Sequence, residues 1–280
     1  MLGRIGLWTA YLDQLPWSQG RDVVQEVESL GYGALWFPEA VGRDGLVAST
    51  LALSASERLV AATGIASIYG RDALTMNCAW RTISEAYPDR FILGLGVSHG
   101  PMVEGLRGAT YGPPLTAMRH YLDQMDSAPY FGVQPLQPRR VLAALGPRML
   151  ALAAERADGA HPYNVTPEHT QMAREVLGAG KLLAVEQKAV LTTDATKARE
   201  IARKALAIYM TLPNYVNNWK RLGFTELSSD AFLDAIVVWG DEATIKRRVD
   251  AHLDAGADHV CVQVLGDVLP AWRRLAPALL

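Results

Sequence analysis

The chain has 280 residues, half of them hydrophobic and a fifth charged, with 27 basic against 29 acidic side chains and a net charge of −2. That composition supplies apolar material for one large core and suits a single α/β barrel, a fold that runs to about 250 residues as one domain. No basic stripe interrupts the even spread of charge, which argues against a nucleic-acid partner.

The N-terminus enters an apolar strand almost at once, at Ile5-Gly6-Leu7-Trp8. No basic leader or long apolar span follows, so neither secretion nor membrane insertion is expected. Val23, Val24, Val27 and Leu30 then form a helical stripe that Gly31 stops, and Ala34-Leu35-Trp36-Phe37 reads as a buried strand leading into Pro38-Glu39. Thr63-Gly64-Ile65-Ala66-Ser67 is a strand with an internal glycine, which marks a bulge or a close approach. From Tyr87 to Gly100 a glycine-spaced apolar strand ends abruptly in Ser98-His99-Gly100. A strand of that kind is buried on both faces and delivers a hydroxyl and an imidazole to the end of a sheet. A proline-rich connector occupies residues 129–138. Gly146-Pro147-Arg148 opens a helix, and Asp158-Gly159 leads into Ala160-His161-Pro162-Tyr163. Asp194 starts a helix with Ala198, Ile201, Ala202, Ala205 and Ile208 on one face. Asp241 caps another that carries Ile245, Val249 and Leu253, stops at Gly256 and hands over to Val260-Cys261-Val262-Gln263-Val264.

Eight strands are predicted, at 4–9, 34–38, 59–67, 91–97, 139–145, 159–163, 182–190 and 259–265, with helices between most of them. Alternation of this kind implies a parallel sheet, and eight units close into a (β/α)8 TIM barrel. Residues 1–280 are read as one domain. Residues 191–258 show no strand, and the extra helical material at about 209–238 is read as an insertion before the last strand, packed near the barrel mouth. A doubly wound sheet would need a glycine-rich phosphate turn, and Gly94, Gly96 and Gly100 have the wrong spacing for it. Cys78 and Cys261 lie far apart and in no metal-ligand spacing, so they read as reduced core thiols of a cytoplasmic protein.

In such a barrel the C-terminal strand tips line the site. Here they are Trp8, Glu39, Ala66-Ser67, Ser98-His99, Gly146-Pro147 and Tyr163-Asn164. The set holds one carboxylate and one imidazole, with no cluster suited to a metal. Glu39 reads either as a solvated loop carboxylate paired with Arg43 or as an acid at a buried mouth. His99, with its titration range, is the best proton donor or acceptor among the tips. His161 is weaker, because Pro162 after it turns the chain; His120, His169 and His252 sit in helices as surface or packing residues. The helix start at Gly146-Pro147-Arg148 could offer free N–H groups to a phosphate, or be a helix start and nothing more.

Taken together, these segments resemble the bacterial luciferase-like superfamily of flavin and deazaflavin oxidoreductases, and more closely its actinobacterial members that use coenzyme F420. The carriers are Leu35-Trp36-Phe37-Pro38-Glu39-Ala40, Glu57-Arg58-Leu59 running into Thr63-Gly64-Ile65, Tyr87 to Gly100, Leu145-Gly146-Pro147 through Asp158-Gly159, and Trp239-Gly240-Asp241-Glu242. The resemblance implies a tricyclic ring at the barrel mouth, backed by a non-prolyl cis peptide between Gly64 and Ile65. It implies a phosphate-holding turn at Leu145, Gly146 and Pro147 completed by Tyr163 and Asn164, with Trp8, Val97 and Ser98 around the ring and Glu39 bonded to it. Two departures stand out: Ala40 where related dehydrogenases place a histidine, and His99 where a sugar-phosphate-oxidising branch places glutamate. The implied activity is hydride transfer between F420 and a small organic substrate, with His99 handling the substrate proton. The alternatives are an FMN-dependent monooxygenase and a non-catalytic flavin- or deazaflavin-binding protein; a homodimer is implied by analogy with the superfamily.

Overall fold

The computed structural model describes residues 2–280. Ten parallel strands form one sheet: β1 (Ile5–Trp8), β2 (Ala34–Phe37), β3 (Val60–Thr63), β4 (Ala66–Ser67), β5 (Phe91–Gly96), β6 (Arg139–Leu142), β7 (Gly159–Ala160), β8 (Leu182–Leu191), β9 (Val237–Gly240) and β10 (His259–Val264). β10 pairs with both β1 and β8, so the sheet closes into an eight-stave barrel in which β3 and β4 share one stave. The helices around it are α1 (Trp17–Ser29), α2 (Gly45–Ser54), α3 (Ala73–Ala86), α4 (Gly100–Gly105), α5 (Pro114–Ser127), α6 (Pro147–Arg156) and α7 (Pro167–Leu177). They continue with α8 (Ala195–Leu206), α9 (Pro213–Arg221), α10 (Asp230–Ile236), α11 (Glu242–Asp254) and α12 (Val268–Leu279). Asp194 and Asp241 cap α8 and α11 as their spacing predicts, each accepting from the backbone three residues on. The α8 face ends earlier than predicted: the helix stops at Leu206, and Ile208 is exposed.

Strand periodicity sorts the core into two shells. Ala34, Trp36, Val60, Ala62, Ile92, Val141, Ala184 and Cys261 point into the barrel, while Leu35, Phe37, Ala61, Leu93, Leu95, Leu142, Val260 and Val262 pack outward against the helices. The inside is filled chiefly by Trp36, stacked on His161 with ring centroids 4.4 Å apart and hydrogen-bonded to His259 at 3.1 Å. Cys261 is a free buried thiol as predicted; Cys78 is also free but only half-buried in α3.

The prediction of no strand between 191 and 258 is corrected by β9. β7 pairs with β8 at Leu182 and Leu183, and its chain keeps one more backbone bond, from the Glu186 N–H to the Pro162 carbonyl at 3.0 Å, before it leaves the sheet. β9 takes up the vacated edge and pairs along Lys188–Leu191, opposite β10. The segment between β8 and β10 is therefore stitched into the barrel wall, and it carries its own apolar cluster around Tyr215, Trp219 and Phe232.

The predicted third strand, 59–67, is broken between Thr63 and Ala66, where the peptide joining Gly64 to Ile65 is cis. Thr63 bridges the break: its hydroxyl donates to the Gly94 carbonyl at 2.7 Å and accepts the Gly94 N–H at 2.9 Å. The strands approach so closely here that a side chain on Gly94 would run into the Thr63 carbonyl oxygen. We expect Gly94→Ala to lower stability by about 3 kcal/mol or more, read from the urea midpoint. A variant with the wild-type midpoint would show that this stave yields freely.

Candidate active site at the barrel mouth

The strand tips converge as the barrel requires, and each tip residue is held by a contact that fixes its direction. Trp8, nearly buried at the end of β1, donates its indole N–H to the Gly64 carbonyl at 2.9 Å. A Cβ at residue 64 would lie 2.6 Å from that indole nitrogen, so only glycine permits the approach. Tyr163, after β7, packs against Trp8 with centroids 5.1 Å apart and donates to the Gln263 side chain at 2.8 Å. His99 caps α4 just past β5. Burial pulls its imidazole below the ordinary histidine value, opposed by a hydrogen bond with the Asn214 side chain. It is therefore a neutral base near pH 7.

Two non-glycine residues at these tips adopt left-handed backbone, Ser98 at φ 55° and Asn164 at φ 58°. Such conformations cost about 1–3 kcal/mol and gather at functional sites. Asn164 is pinned by its backbone, its N–H donating to Glu186 at 2.9 Å and its carbonyl accepting from the Trp219 indole at 2.9 Å. Its side-chain amide is buried with neither atom hydrogen-bonded. Across the rim, Gly146 caps α6, Pro147 occupies its first position, and the Leu145 carbonyl lies 2.8 Å from His169 Nε2. Ile65 and Val97 lie beside these tips, and Arg148 is exposed on the first turn of α6.

Glu39 does not pair with Arg43. Arg43 is taken by the Leu12 and Leu15 carbonyls. Glu39 instead bonds Arg71 at 2.7 Å and lies 3.8 Å from Arg107, its side chain only 7% exposed. Arg71 also holds Asp44. Both carboxylate oxygens of Glu39 thus face guanidinium groups, an arrangement that anchors two arginines at the rim.

Several site residues were not singled out in the sequence. Glu186 and Lys188 alternate onto the inner face of β8, fully buried and 3.2 Å apart. The Lys188 ammonium sits 3.7 Å from the centroid of the Tyr163 ring. Burial raises the Glu186 carboxyl above its usual range and lowers Lys188 to about 8. The signal was available: Glu-Gln-Lys interrupts an apolar strand, and charges at i and i+2 share a face. Tyr209 and Tyr215 come from the segment before β9. With Trp8, Tyr163 and His99 they form a row of rings across the mouth, neighbouring centroids 5.0–5.6 Å apart. Nothing local in the sequence marks those two tyrosines. A separate cavity of about 410 Å3, lined by Thr166, Glu168, Phe224 and Arg248 among others, lacks His99 and Trp8 from its lining. Among the described residues no group of histidine, cysteine, aspartate and glutamate is arranged to hold a metal ion, and no helix is long and apolar enough to cross a membrane.

The mouth fits a flat heterocycle with a phosphate on its side chain. Aromatic rings line it, and the Arg221 guanidinium, held by the Asn218 amide oxygen, lies over the uncapped start of α6.

Comparison with known proteins agrees with this architecture. A Mycobacterium tuberculosis (strain H37Rv) protein provisionally named a coenzyme F420-dependent oxidoreductase is 25% identical, over 92% of this chain and 94% of its own. The fold is shared with an F420-dependent secondary alcohol dehydrogenase solved with an F420–acetone adduct, at a TM-score of 0.79 and 14% identity over 100% of both chains. It is shared also with the oxygenating constituent of 3,6-diketocamphane monooxygenase from Pseudomonas putida in complex with FMN, at a TM-score of 0.72 and 13% identity over 99% of each. The family described as luciferase-like monooxygenase matches residues 3–259, nearly the whole barrel, and the chain belongs to that family.

Proposed function

We propose that this chain is an F420-dependent oxidoreductase that moves a hydride between the deazaflavin and a small organic substrate. The observation that carries the reading is the single rim on which a row of aromatic rings, a half-buried imidazole and an uncapped helix start beneath Arg221 lie together. The M. tuberculosis relative and the alcohol dehydrogenase supply the cofactor class. When bound, the deazaflavin supplies the carbon that gives or accepts the hydride. Trp8, Tyr163 and the cis Gly64–Ile65 segment wall the ring, with Val97 and Ser98 at its edge. Leu145, Gly146, Pro147 and Asn164 hold the phosphate. His99 takes the substrate proton at an imidazole nitrogen, and Tyr209 and Tyr215 keep water from it. Glu39 is assigned to holding Arg71 and Arg107 in place at the rim. Residues 1–280 act as one catalytic unit with the 209–238 segment folded over the mouth.

The FMN-bound neighbour favours a second reading, an FMN-dependent monooxygenase on the same scaffold. Titration of tryptophan fluorescence separates the two. We expect F420 to bind roughly tenfold or more tighter than FMN, equivalent to about 1.4 kcal/mol. Tight FMN binding with oxygen uptake would overturn the deazaflavin reading.

A further inference from the structure

Helix α9 places Asn214, Asn218 and Arg221 at positions i, i+4 and i+7, one stripe about 10 Å long. Its two ends touch different parts of the rim. At the N-terminal end the Tyr215 ring lies 5.6 Å from the His99 imidazole, with the Asn214 side chain beside it. At the other end the Arg221 guanidinium overhangs the start of α6, with Nη2 3.4 Å from where a Cβ on Gly146 would stand.

That end carries an unsatisfied anion site. Arg221 is exposed, and its Nη2 is held by the Asn218 amide oxygen at 3.1 Å rather than by a carboxylate, so its charge is not neutralised. Asn218 is fully buried, and its amide nitrogen has no partner. Both side-chain atoms of buried Asn164 and Nδ1 of buried His169 are also unpartnered. Of these atoms, the amide nitrogens of Asn218 and Asn164 are the donors that an anion can complete, and Asn164 is tied to this corner through Trp219, whereas Asn164 Oδ1 and His169 Nδ1, on a ring that donates through Nε2 to Leu145, are acceptors. Leaving a donor unpaired in the core is costly, and a guanidinium held by buried Asn218 over an uncapped ten-residue helix start makes sense where an anion completes the group.

We infer that Arg221 and Asn218 clasp the cofactor's phosphate against the α6 start, and that this clasp fastens α9 over the mouth with Asn214 and Tyr215 set against His99. The inference rests on the proposed cofactor class for the identity of the phosphate, but not for the clasp itself. Phosphate recognition and assembly of the proton-handling corner are then two ends of one helix.

Arg221→Ala is the test, since its exposed side chain can be removed without opening the core. F420 affinity should fall about 10- to 100-fold, the usual loss for a hydrogen bond to a charged group. Affinity for the phosphate-free deazaflavin riboside should not change, and Arg221→Lys should recover part of the loss. Inorganic phosphate alone should slow amide hydrogen exchange across residues 209–221 in the wild type and not in Arg221→Ala. Equal weakening of both deazaflavins, or exchange that phosphate leaves unaltered, would overturn the clasp. Phosphate that still protects α9 in the F420-saturated protein would assign the site to a phosphorylated substrate and overturn the cofactor assignment. A wild type that binds neither F420 nor FMN would sink the proposed function, while the phosphate arm would still decide the clasp.

Discussion

Replacing His99 with alanine should cut turnover by about 10²–10⁴-fold, the usual worth of a positioned acid or base, while leaving F420 affinity nearly unchanged. The split follows from where the residue sits. His99 caps α4 beyond β5, against Asn214 and Tyr215, whereas the phosphate contacts lie at α6 and the ring walls at Trp8 and Tyr163. The pH dependence is equally specific. Burial holds the imidazole below 6.5, so it is already neutral at pH 7. In the direction that removes a proton from the substrate, rate should rise with pH along a limb centred below 6.5 and stay flat above pH 7. The limb should vanish in His99→Ala. Unchanged turnover in the variant, or a limb centred well above 6.5, would remove His99 from the mechanism.

Mild acid should unfold the protein. His161, His169 and His259 are buried and held near pKa values of about 4, and His252 at about 3, in each case chiefly by desolvation. Their ring nitrogens are committed to neutral partners: the Ala184, Leu145 and Gly3 carbonyls, and Thr170 with Gln187. The unfolded chain protonates these imidazoles near 6.5 and the folded one does not. Below pH 6.5 the unfolded state therefore binds more protons, and stability falls as pH falls, until each folded pKa is passed. A full shift from 6.5 to about 4 is worth about 3 kcal/mol per histidine, and two such groups rival a large part of an ordinary stability of about 5–15 kcal/mol. Glu186, raised by burial, works in the opposite sense, but it is one group against four. Urea midpoints should therefore drop steeply from pH 6.5 to 4.5, above the window in which most surface carboxylates titrate. A midpoint that stays level across that range would refute the assignment.

The barrel was legible because each stave is written locally. Ala34 to Phe37 and Phe91 to Gly96 are short apolar runs with a glycine or helix stop before them or a polar tip after, and their two-residue period sets which side chains fill the interior. β9 was hidden for the same reason in reverse. Phe232 to Trp239 is apolar almost throughout, so nothing marks the point where α10 becomes a strand, and only the edge that β7 gives up makes Val237–Gly240 extend. The site divides along the same line. Trp8, Ser98, His99, Gly146 and Tyr163 were readable as strand tips, and the Gly64–Ile65 cis bond as part of the resemblance. The partners of Glu39 were not, since Arg71 lies 32 residues away and Arg43, the near neighbour, faces elsewhere. Arg221 reaches Gly146 across 75 residues, a proximity that only the closed ring creates.

The insertion of β9 into the wall governs how this region can be exchanged between relatives. A transplant that spans Ala195 to Gly240 brings its own strand and keeps β8 paired on both edges. One that deletes Val237–Gly240 strips Val190 and Leu191 of their neighbour and leaves bare backbone donors and acceptors, the kind of open border from which chains begin to aggregate.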